Sequence, residues 1–499
     1  KSDSKLNLYS AVLAFFLIIF LSMNGIFEGY KSNKNYKTNY PISNLIKEGT
    51  DVFRINLSHS NVSEIKNVIK ILKDASMELK RPVATLIDLQ GQKIRIKGFD
   101  NKEYILLKAK SEFILDAALA DNKGTDLSVG LTYKDLPKQL DIGDELLLSD
   151  ALIKLEVTNI QKSKIYTKVI RGGKLKPYQG VNKKGGGLSL KGITEKDKKD
   201  LTSAAKLDID YIAVSFVKDA NDIKAVKKII GKKQIGIIAK IERSEALDNI
   251  DEIAKISDGL LVARGDLGVE IGIEQLPAVQ DMLIRKAISF DKIVIVATQM
   301  MESMINNRVP TRAEVFDVAN AVTSGVDAVM LSAETAIGSY PVDVIEEVSR
   351  ICEVAEKTNR KNLKITRKDK SFVKTDQTIA MAAVYCADKS NIKAIATLTE
   401  TGSTPLWMSR IESTIPIYAM TKNDRTSRRI CLLKGVYSMK LDDIEYVHAK
   451  ANKQVIDLML EKGAVKKGDY VIITKGDLMG TSGGTNALKI VEVGNLIEV

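Results

Sequence analysis

Histidine is almost absent from this sequence, which contains only His59 and His448 among its 499 residues. Catalysis by a Ser-His-Asp arrangement is therefore nearly excluded, and an enzyme built from this chain would use carboxylates, lysine, arginine, hydroxyl groups or a metal ion. Cysteine is also rare, and Cys352, Cys386 and Cys431 follow neither a metal-binding spacing nor an even disulfide framework. This scarcity indicates a reducing compartment such as the cytoplasm.

Aromatic residues make up only 5% of the chain, although its formal net charge is +12. The lysines are spread along the whole sequence with few aromatic residues beside them. This is typical of a solvated surface and not of a nucleic-acid groove, so we expect no nucleic-acid partner. Hydrophobic residues at 44% and charged residues at 28% indicate a globular protein. A chain of 499 residues is too long for one ordinary domain and predicts roughly two to four.

One apolar run is long enough to raise the question of a membrane. Residues Tyr9–Met23 are almost wholly apolar, whereas spanning a bilayer takes about 20 such residues. The run has three interpretations: a membrane anchor, the core of a signal peptide, or a buried strand followed by a helix. As an anchor it would contact the membrane and hold the downstream chain in the cytoplasm, because slightly more lysines follow it than precede it. We treat residues 1–40 as a separate apolar N-terminal segment.

After residue 40, short apolar runs rich in β-branched residues alternate with amphipathic helical stretches. Continuous apolar strands separated by helices predict a parallel sheet that is covered on both faces. The pattern predicts an α/β fold in which residues 41–97 and 181–356 form a (β/α)8 barrel, with the functional site at the carboxyl ends of its strands. The seven runs are Asp51–Leu57, Val83–Leu89, Ile209–Val217, Ile235–Ile241, Asp258–Ala263, Lys292–Thr298 and Asp327–Ala333.

A barrel of this kind needs eight strands, and the first is missing from these runs. A barrel lacking one strand would expose unpaired edges and be unstable. We therefore expect part of the residue 8–40 region to fill the first-strand position.

Two regions interrupt the alternation. Residues 98–180 consist of short strands and turns, and they predict a small all-β domain inserted into the barrel. From residue 357 a different α/β pattern begins, with a helix from Thr378 and strands at Ile392–Thr399 and Asp469–Gly476. Residues 357–499 therefore predict a separate C-terminal α/β domain.

Polar side chains collect at the ends of the predicted barrel strands. Lys240 and Glu242 lie two residues apart and so face the same side of their strand, Gly265 and Asp266 follow the next strand, and Thr298 ends the one after it. Carboxylates with oxygen-only neighbours suit Mg²⁺, and cations suit phosphate. Any one of these side chains has a purely structural explanation, but the whole set at one barrel mouth predicts a phosphoryl-transfer site. The other strands end in Arg54, Asn56 and Ser58, in Asp88 followed by Arg95, and in Ser332 and Glu334.

Several stretches of the chain resemble the pyruvate kinase family, and one bacterial type in particular. The resemblance runs from about Ile42 to the C-terminus. It implies transfer of phosphate from phosphoenolpyruvate to ADP, giving pyruvate and ATP, in a cytoplasmic homotetramer of barrel, lid and effector-binding domains. The stretches are FRINLSH, DLQGQKIRI, GGGLSLKGITEKD, AKIE, VARGDLGVEIG, ATQMMESM, PTRAEVFDVANAV and DAVMLSAET.

The resemblance also implies roles for the residues at the strand ends. Glu242 and Asp266 would hold Mg²⁺ or Mn²⁺, and Lys240 would stabilise the phosphoryl group in transit and the enolate oxygen. Positioning and charge stabilisation supply most of such catalysis. Gly265 and Asp266 would begin a short helix whose free N–H groups bind the substrate carboxylate, and Thr298 would complete that pocket.

Phosphate groups have further candidate partners by the same resemblance. Arg54 would take part in catalysis and contact the substrate and nucleotide phosphates, and Arg95 and His59 would also lie near the nucleotide phosphates. The loop Thr399–Pro405 resembles one that binds a phosphorylated effector, a sugar phosphate or a nucleotide, although an ordinary glycine turn explains it equally well. Its candidate residues are Thr399, Thr401, Gly402, Ser403 and Thr404.

The resemblance also raises the question of whether the enzyme needs a monovalent cation. Many relatives need K⁺, held by residues that match Asn56, Ser58, Asp88 and the position of Leu89. Leu89 offers no hydroxyl ligand, and Lys93 supplies a fixed ammonium group that would balance nearby carboxylates and repel a second cation. The sequence therefore predicts activity without K⁺, the alternative being that Lys93 is an ordinary surface lysine.

Four features depart from the family pattern. The first-strand motif has no match, and Gln179, Ala151 and Gln92 replace the usual Lys, Gly and Pro. These departures leave an alternative, a catalytically weak or inactive homologue that only binds phosphorylated ligands or partner subunits. A different phosphoenolpyruvate-using barrel enzyme is disfavoured by the inserted domain and by the TRAEVFDVANAV stretch.

Overall fold

The computed structural model describes residues 16–20, 42–57, 62–190, 192–359, 374–411, 413–443, 445, 447–477 and 483–495. No helix within these ranges is long and apolar enough to cross a membrane. Of the apolar run Tyr9–Met23, only the central residues 16–20 lie inside the described ranges.

The strands in the described part of the chain are β1 Phe16–Phe20, β2 Thr50–Asn56, β3 Ala84–Asp88, β4 Ile105–Leu107, β5 Glu112–Asp116, β6 Ser128–Gly130, β7 Glu145–Leu148, β8 Ile153–Gln161, β9 Lys164–Arg171, β10 Gly173–Leu175, β11 Val181–Lys183, β12 Tyr211–Val214, β13 Gly236–Ile241, β14 Gly259–Ala263, β15 Ile293–Ala297, β16 Ala328–Met330, β17 Ile392–Leu398, β18 Ile417–Thr421, β19 Val436–Lys440, β20 Tyr470–Gly476 and β21 Thr485–Glu492.

The helices in the same ranges are α1 Ile42–Lys47, α2 Val62–Glu78, α3 Glu195–Ala204, α4 Ala220–Ile230, α5 Glu245–Asp248, α6 Ile250–Ile256, α7 Arg264–Ile271, α8 Leu276–Ser289, α9 Arg312–Thr323, α10 Ala333–Ala336, α11 Pro341–Asn359, α12 Thr375–Lys389, α13 Ser403–Ser409, α14 Asp424–Arg429 and α15 His448–Glu461.

Eight strands form a closed barrel in the order β1-β16-β15-β14-β13-β12-β3-β2. Every residue of β3, β13, β14 and β15 is buried, as expected for parallel strands covered on both faces. The predicted barrel is confirmed, and its seven apolar runs correspond to β2, β3 and β12 to β16.

The first strand of the barrel comes from the N-terminal apolar run. Strand β1 pairs in parallel with β16, where Phe16 lies opposite Ala328, and with β2, where Phe20 lies opposite Arg54. The prediction that part of residues 8–40 fills this position is confirmed. A short run of Phe, Leu and Ile suits a barrel strand, and its pairing on both sides leaves neither neighbour with an open edge.

The inserted region forms a lid built only of strands. A two-stranded antiparallel sheet contains β10 and β4, and a six-stranded sheet has the order β11-β7-β8-β9-β5-β6. Phe113, Leu115, Leu155 and Val169 are fully buried in the core of this lid. Because β11 pairs with β7, the lid sheet continues three residues beyond the predicted boundary at residue 180.

The C-terminal domain contains a five-stranded sheet in the order β19-β18-β17-β20-β21. The first four strands are parallel, and β21 runs antiparallel to β20. The core of the domain includes Tyr418 and Met420 from the sheet and Val455 and Met459 from α15. The predicted C-terminal α/β domain is thereby confirmed as a fold class.

The chain forms two compact units. The first comprises Lys1–Ile87, Leu207–Tyr211 and Ala287–Val499, and it contains the C-terminal domain. The second comprises Asp88–Lys206 and Ile212–Lys286, and it contains the lid. The site is described below for each unit in turn.

Candidate active site

Lys240 is the centre of a buried charge cluster in the second unit. It lies near the end of β13, and its side chain is 10% exposed. Its Nζ lies 3.0 Å from Glu242 Oε1 and 3.3 Å from Asp88 Oδ1, and it donates a hydrogen bond of 2.7 Å to Ser215 Oγ. An ammonium group has three donors, so these three neighbours can satisfy it completely.

Glu242 receives a second contact from an unusual piece of backbone. The N–H of Phe216 donates to Glu242 Oε2 at 2.7 Å, and Phe216 has a φ of +54°. Burial raises the pKa of the Glu242 carboxyl, the charges of Asp266 and Asp88 raise it further, and the charge of Lys240 opposes them. The cluster therefore holds negative charge at close range and would gain from an added cation.

Asp266 lies in the first turn of α7 and pairs with Lys93. The distance from Lys93 Nζ to Asp266 Oδ1 is 2.6 Å, and both side chains are about one-fifth exposed. A Cβ on Gly180 would come within 2.9 Å of Lys93 Cε, so the side chain of Lys93 runs directly over this glycine.

The chemistry of these groups fits a divalent cation. Three carboxylates, those of Asp88, Glu242 and Asp266, face two ammonium groups, and every donor atom is an oxygen. No cluster of three or more His, Cys, Asp or Glu side chains within the described residues forms a complete metal cage. Mg²⁺ commonly binds through one or two carboxylates and fills its remaining positions with water and substrate oxygens. Glu242 and Asp266 fit that pattern.

The helix that follows β14 begins one residue before Gly265, the start that the resemblance implied. Helix α7 starts at Arg264, so Gly265 and Asp266 lie in its first turn, and no side chain caps the end at Ala263. The first N–H groups of such a helix lack partners within the helix and favour an anion. Gly265 is half-buried and places no side chain over them.

Arg54, Asn56 and Thr298 belong to the first unit. Arg54 and Asn56 are half-buried and alternate along β2 with the buried Phe53 and Ile55, so they share one side of the strand. Thr298 directly follows β15 and has a φ of +78°. A β-branched residue in this region is a conformational outlier that costs on the order of 1–3 kcal/mol, and such strain clusters at functional sites.

The other positions that the sequence suggested for phosphate or a monovalent cation are Arg95, Leu89, Ser58 and His59. Arg95 is exposed and forms an isolated β-bridge with Gly180, and its guanidinium donates to the Tyr178 carbonyl oxygen at 2.9 Å. The carbonyl oxygen of Leu89 accepts a hydrogen bond of 2.7 Å from Ser215 Oγ. Ser58 and His59 lie outside the described residues.

The candidate effector loop connects β17 to α13. Gly402 has a φ of +84°, and its N–H donates to Thr399 Oγ1 at 2.9 Å. The hydroxyls of Thr401 and Ser403 lie 2.8 Å apart, and that of Thr404 is buried against Thr485 Oγ1 at 2.8 Å. The loop is thus an ordered turn with several hydroxyl groups at the start of a short helix.

Sequence reasoning missed Ser215 and Phe216, which both contact the charge cluster. These residues end the run Ile209–Val217, which was interpreted only as a strand. A signal was present, because Ser215 is a polar residue at the end of a barrel strand, as are Lys240 and Thr298.

Comparison with known proteins identifies the family of the chain. Residues 31–345 match the family model described as "Pyruvate kinase, barrel domain", and residues 377–491 match "Pyruvate kinase, alpha/beta domain". A pyruvate kinase of Buchnera aphidicola from Baizongia pistaciae is 46% identical over 91% of this chain and 95% of its own length. Pyruvate kinase II of Salmonella typhimurium is 42% identical over the same shares of the two chains.

A solved structure leads to the same family. The crystal structure of a pyruvate kinase from Cryptosporidium parvum superimposes with a TM-score of 0.84 at 30% identity, covering 96% of both chains. The barrel, the lid and the C-terminal α/β domain all fall within this match. The chain therefore belongs to the pyruvate kinase family and has the activity of a pyruvate kinase in glycolysis.

Proposed function

We propose that the charge cluster around Lys240 transfers phosphate from phosphoenolpyruvate to ADP, giving pyruvate and ATP. The observation that carries this proposal is the buried ammonium of Lys240, held within 3.3 Å of Asp88 and Glu242. A loose phosphoryl-transfer transition state needs little covalent help, so a fixed positive charge beside the transferring group supplies much of the catalysis.

Glu242 and Asp266 are the proposed ligands of Mg²⁺ or Mn²⁺. When bound, a divalent cation neutralises and orients the oxygens of the phosphoryl groups. The support is the oxygen-only donor set and the negative charge that Asp266 and Asp88 place beside the Glu242 carboxyl. Lys240 and Lys93 hold the two carboxylates in place, at 3.0 Å from Glu242 and 2.6 Å from Asp266.

Substrate binding is assigned to residues at the strand ends. The uncapped first turn of α7, with Gly265 and Asp266, would take the substrate carboxylate. Thr298 and Arg54 would contact the same substrate, since barrel enzymes place catalytic residues at the carboxyl ends of strands. Arg54, Arg95 and His59 would contact nucleotide phosphates.

K⁺ is not required in this proposal. Lys93 already provides a positive charge 2.6 Å from Asp266 Oδ1, and the side chain of Leu89 carries no oxygen ligand. At an effective dielectric constant near 20, a second cation about 4 Å from this ammonium would meet a repulsion of about 4 kcal/mol. The K⁺ position suggested by Asn56, Ser58 and Asp88 would then contain no K⁺ during turnover.

The C-terminal domain would regulate the enzyme through the loop from Thr399 to Thr404. A sugar phosphate or a nucleotide is the proposed effector, because the hydroxyls of Thr401 and Ser403 and the turn at Gly402 offer donors to a phosphate group. The three cysteines of the described residues are free thiols, which supports a cytoplasmic location.

A homotetramer is the proposed assembly. Support comes from an apolar groove of about 640 Å³ between α9 and α11 in the first unit. Phe316 and Val354 line this groove and are 80% and 63% exposed, an arrangement typical of interaction surfaces.

Replacing Lys240 by methionine tests the assignment. We expect turnover in a coupled assay for pyruvate formation to fall by several orders of magnitude while phosphoenolpyruvate still binds, because the lost charge acts mainly in the transition state. Lys228→Met, at an exposed lysine of α4, is the matched control and should leave turnover unchanged. Wild-type turnover in Lys240→Met would refute the role of Lys240. A wild-type protein that binds phosphoenolpyruvate without turnover would instead favour the inactive homologue.

A further inference from the structure

The hydroxyl of Ser215 is held by one hydrogen bond and in turn binds the ammonium of Lys240. It follows β12 directly and is 3% exposed. Its Oγ donates to the Leu89 carbonyl oxygen at 2.7 Å and accepts from Lys240 Nζ at 2.7 Å. A hydroxyl has one proton, so donation to Leu89 turns its lone pairs toward the ammonium group. Asp88 Oδ1, at 3.3 Å from Ser215 Oγ, is the more distant acceptor for that proton.

The backbone around Ser215 is held rigidly. The N–H of Leu89 donates to the carbonyl oxygen of Ala213 at 3.0 Å, which ties β12 to the end of β3. Phe216, the next residue, stays at a φ of +54° while its N–H binds Glu242. A Cβ on Gly91 would come within 2.7 Å of Phe216 Cδ2 and 2.9 Å of Ser215 Cβ, so the backbone at Gly91 packs closely on this turn.

The contacts of Lys240 with Asp88, Glu242 and Ser215 act in different directions. Asp88 and Glu242 attract the ammonium by charge, whereas Ser215 is a neutral partner and competes for no proton or metal ion. Without the hydroxyl, the attraction of the two carboxylates would be less opposed, and Lys240 would move closer to them. A closer Lys240 would compete with a divalent cation for Glu242 and would no longer point at the transferring group.

We propose that Ser215 is a positioning residue of the phosphoryl-transfer site, which accepts one hydrogen of the Lys240 ammonium and so limits how closely that ammonium pairs with Asp88 and Glu242. The inference rests on the proposed function for its catalytic consequence and on the proposed Glu242 metal site for its effect on metal binding. Small displacements of a catalytic group cost up to about 100-fold in rate, and loss of a supporting contact typically costs about 10–100-fold in metal affinity or activity.

The role of Ser215 is tested with three variants: Ser215→Ala, Ser215→Thr and the control Ser257→Ala. Ser257 is also a buried serine of the second unit, 1% exposed, whose hydroxyl donates to the Ile253 carbonyl oxygen away from the cluster. We expect Ser215→Ala to lower kcat about 10–100-fold with the KM for phosphoenolpyruvate within about threefold, since the lost contact acts on positioning. Ser215→Thr keeps the hydroxyl and should retain kcat within about threefold, and Ser257→Ala should match the wild type.

Mn²⁺ titration of the same four proteins, followed by calorimetry, gives a readout that needs no turnover. Ser215→Ala should weaken Mn²⁺ binding at least threefold, whereas Ser215→Thr and Ser257→Ala should bind it like the wild type. Equal Mn²⁺ affinity of Ser215→Ala and the wild type would overturn the inference, and so would equal loss of kcat in Ser215→Ala and Ser257→Ala. If the wild type shows no turnover, the proposed function fails, while the Mn²⁺ titration still decides the role of Ser215.

Discussion

Replacing Glu270 by glutamine should make the thermal stability of the protein far less dependent on pH. Glu270 lies in α7 and is 9% exposed. Its carboxylate accepts hydrogen bonds from the Ser244 N–H at 2.9 Å and from the Ser244 hydroxyl at 3.3 Å. Burial raises its pKa to about 7, and the nearby charge of Glu245 adds to this, against the opposing Ser244 contacts and the charge of Arg243.

The sign of the effect follows from proton binding in the two states. In the folded protein Glu270 keeps its proton up to a pKa of about 7, whereas in the unfolded chain it loses the proton near the ordinary value of 4.5. Stability contributed by the protonated carboxyl is therefore present below pH 4.5 and is lost as the pH rises through 7. At about 1.4 kcal/mol for each pH unit between those two values, the full loss is at most about 3.5 kcal/mol.

Glutamine removes this loss because it stays neutral and its carbonyl oxygen can accept the same hydrogen bond from Ser244. Melting temperatures of the wild type and Glu270→Gln, measured from pH 5 to pH 8.5, should differ least at pH 5. The variant should melt several degrees higher at pH 8, since about 1 kcal/mol shifts the melting temperature by roughly 2–4 °C in units of 150–250 residues.

Glu274→Gln, at an exposed glutamate just beyond α7, is the matched control and should follow the wild type at every pH. A difference between Glu270→Gln and the wild type that stays constant from pH 5 to pH 8.5 would refute the reasoning. So would a pH dependence that Glu274→Gln shares.

Two further predictions concern the cations of the site and a buried ion pair. Turnover in tetramethylammonium chloride should equal that in KCl at the same ionic strength, and tenfold activation by K⁺ would contradict the role given to Lys93. Lys93→Glu should lower the activity without K⁺ and should gain a K⁺ response only when Leu89→Thr is added. Arg410→Met should lower the melting temperature strongly, by a destabilisation of about 3–5 kcal/mol, because it leaves the fully buried Asp327 carboxylate without its opposite charge, although the N–H groups of Val294 and Lys434 still donate to it. Arg285→Met, which breaks an exposed pair, should cost less than about 1 kcal/mol in the same measurement.

The amino-acid sequence by itself determined which segments form most of the barrel strands and where the inserted domain interrupts them. Runs such as Ile235–Ile241 are apolar on both faces, and this local property already indicates a strand of a covered parallel sheet. The change to short strands and turns at residues 98–180 likewise marked the lid. The sequence also identified Lys240, Glu242 and Asp266 as candidate site residues, because polar residues at the ends of apolar runs can be recognised without a structure.

Only the tertiary structure showed which structure the N-terminal apolar run adopts. Its composition suits a membrane segment, a signal peptide and a buried strand equally well, because hydrophobicity does not specify the surroundings that bury a segment. Pairing of β1 with β16 and β2 makes Phe16–Phe20 a barrel strand, and its pairing with β16 joins residues more than 300 positions apart.

Contacts at the site were decided in the same way. Lys93 and Asp266 are 173 residues apart in the chain, yet their charged atoms lie 2.6 Å apart. Ser215 has the local sequence of an ordinary strand end, and only the approach of β3 and β13 gives its hydroxyl the partners Leu89 and Lys240. The raised pKa of Glu270 depends on how much water its surroundings exclude. A sequence pattern records which side chains are buried, whereas the charge, distance and direction of their partners are set only when distant segments pack together.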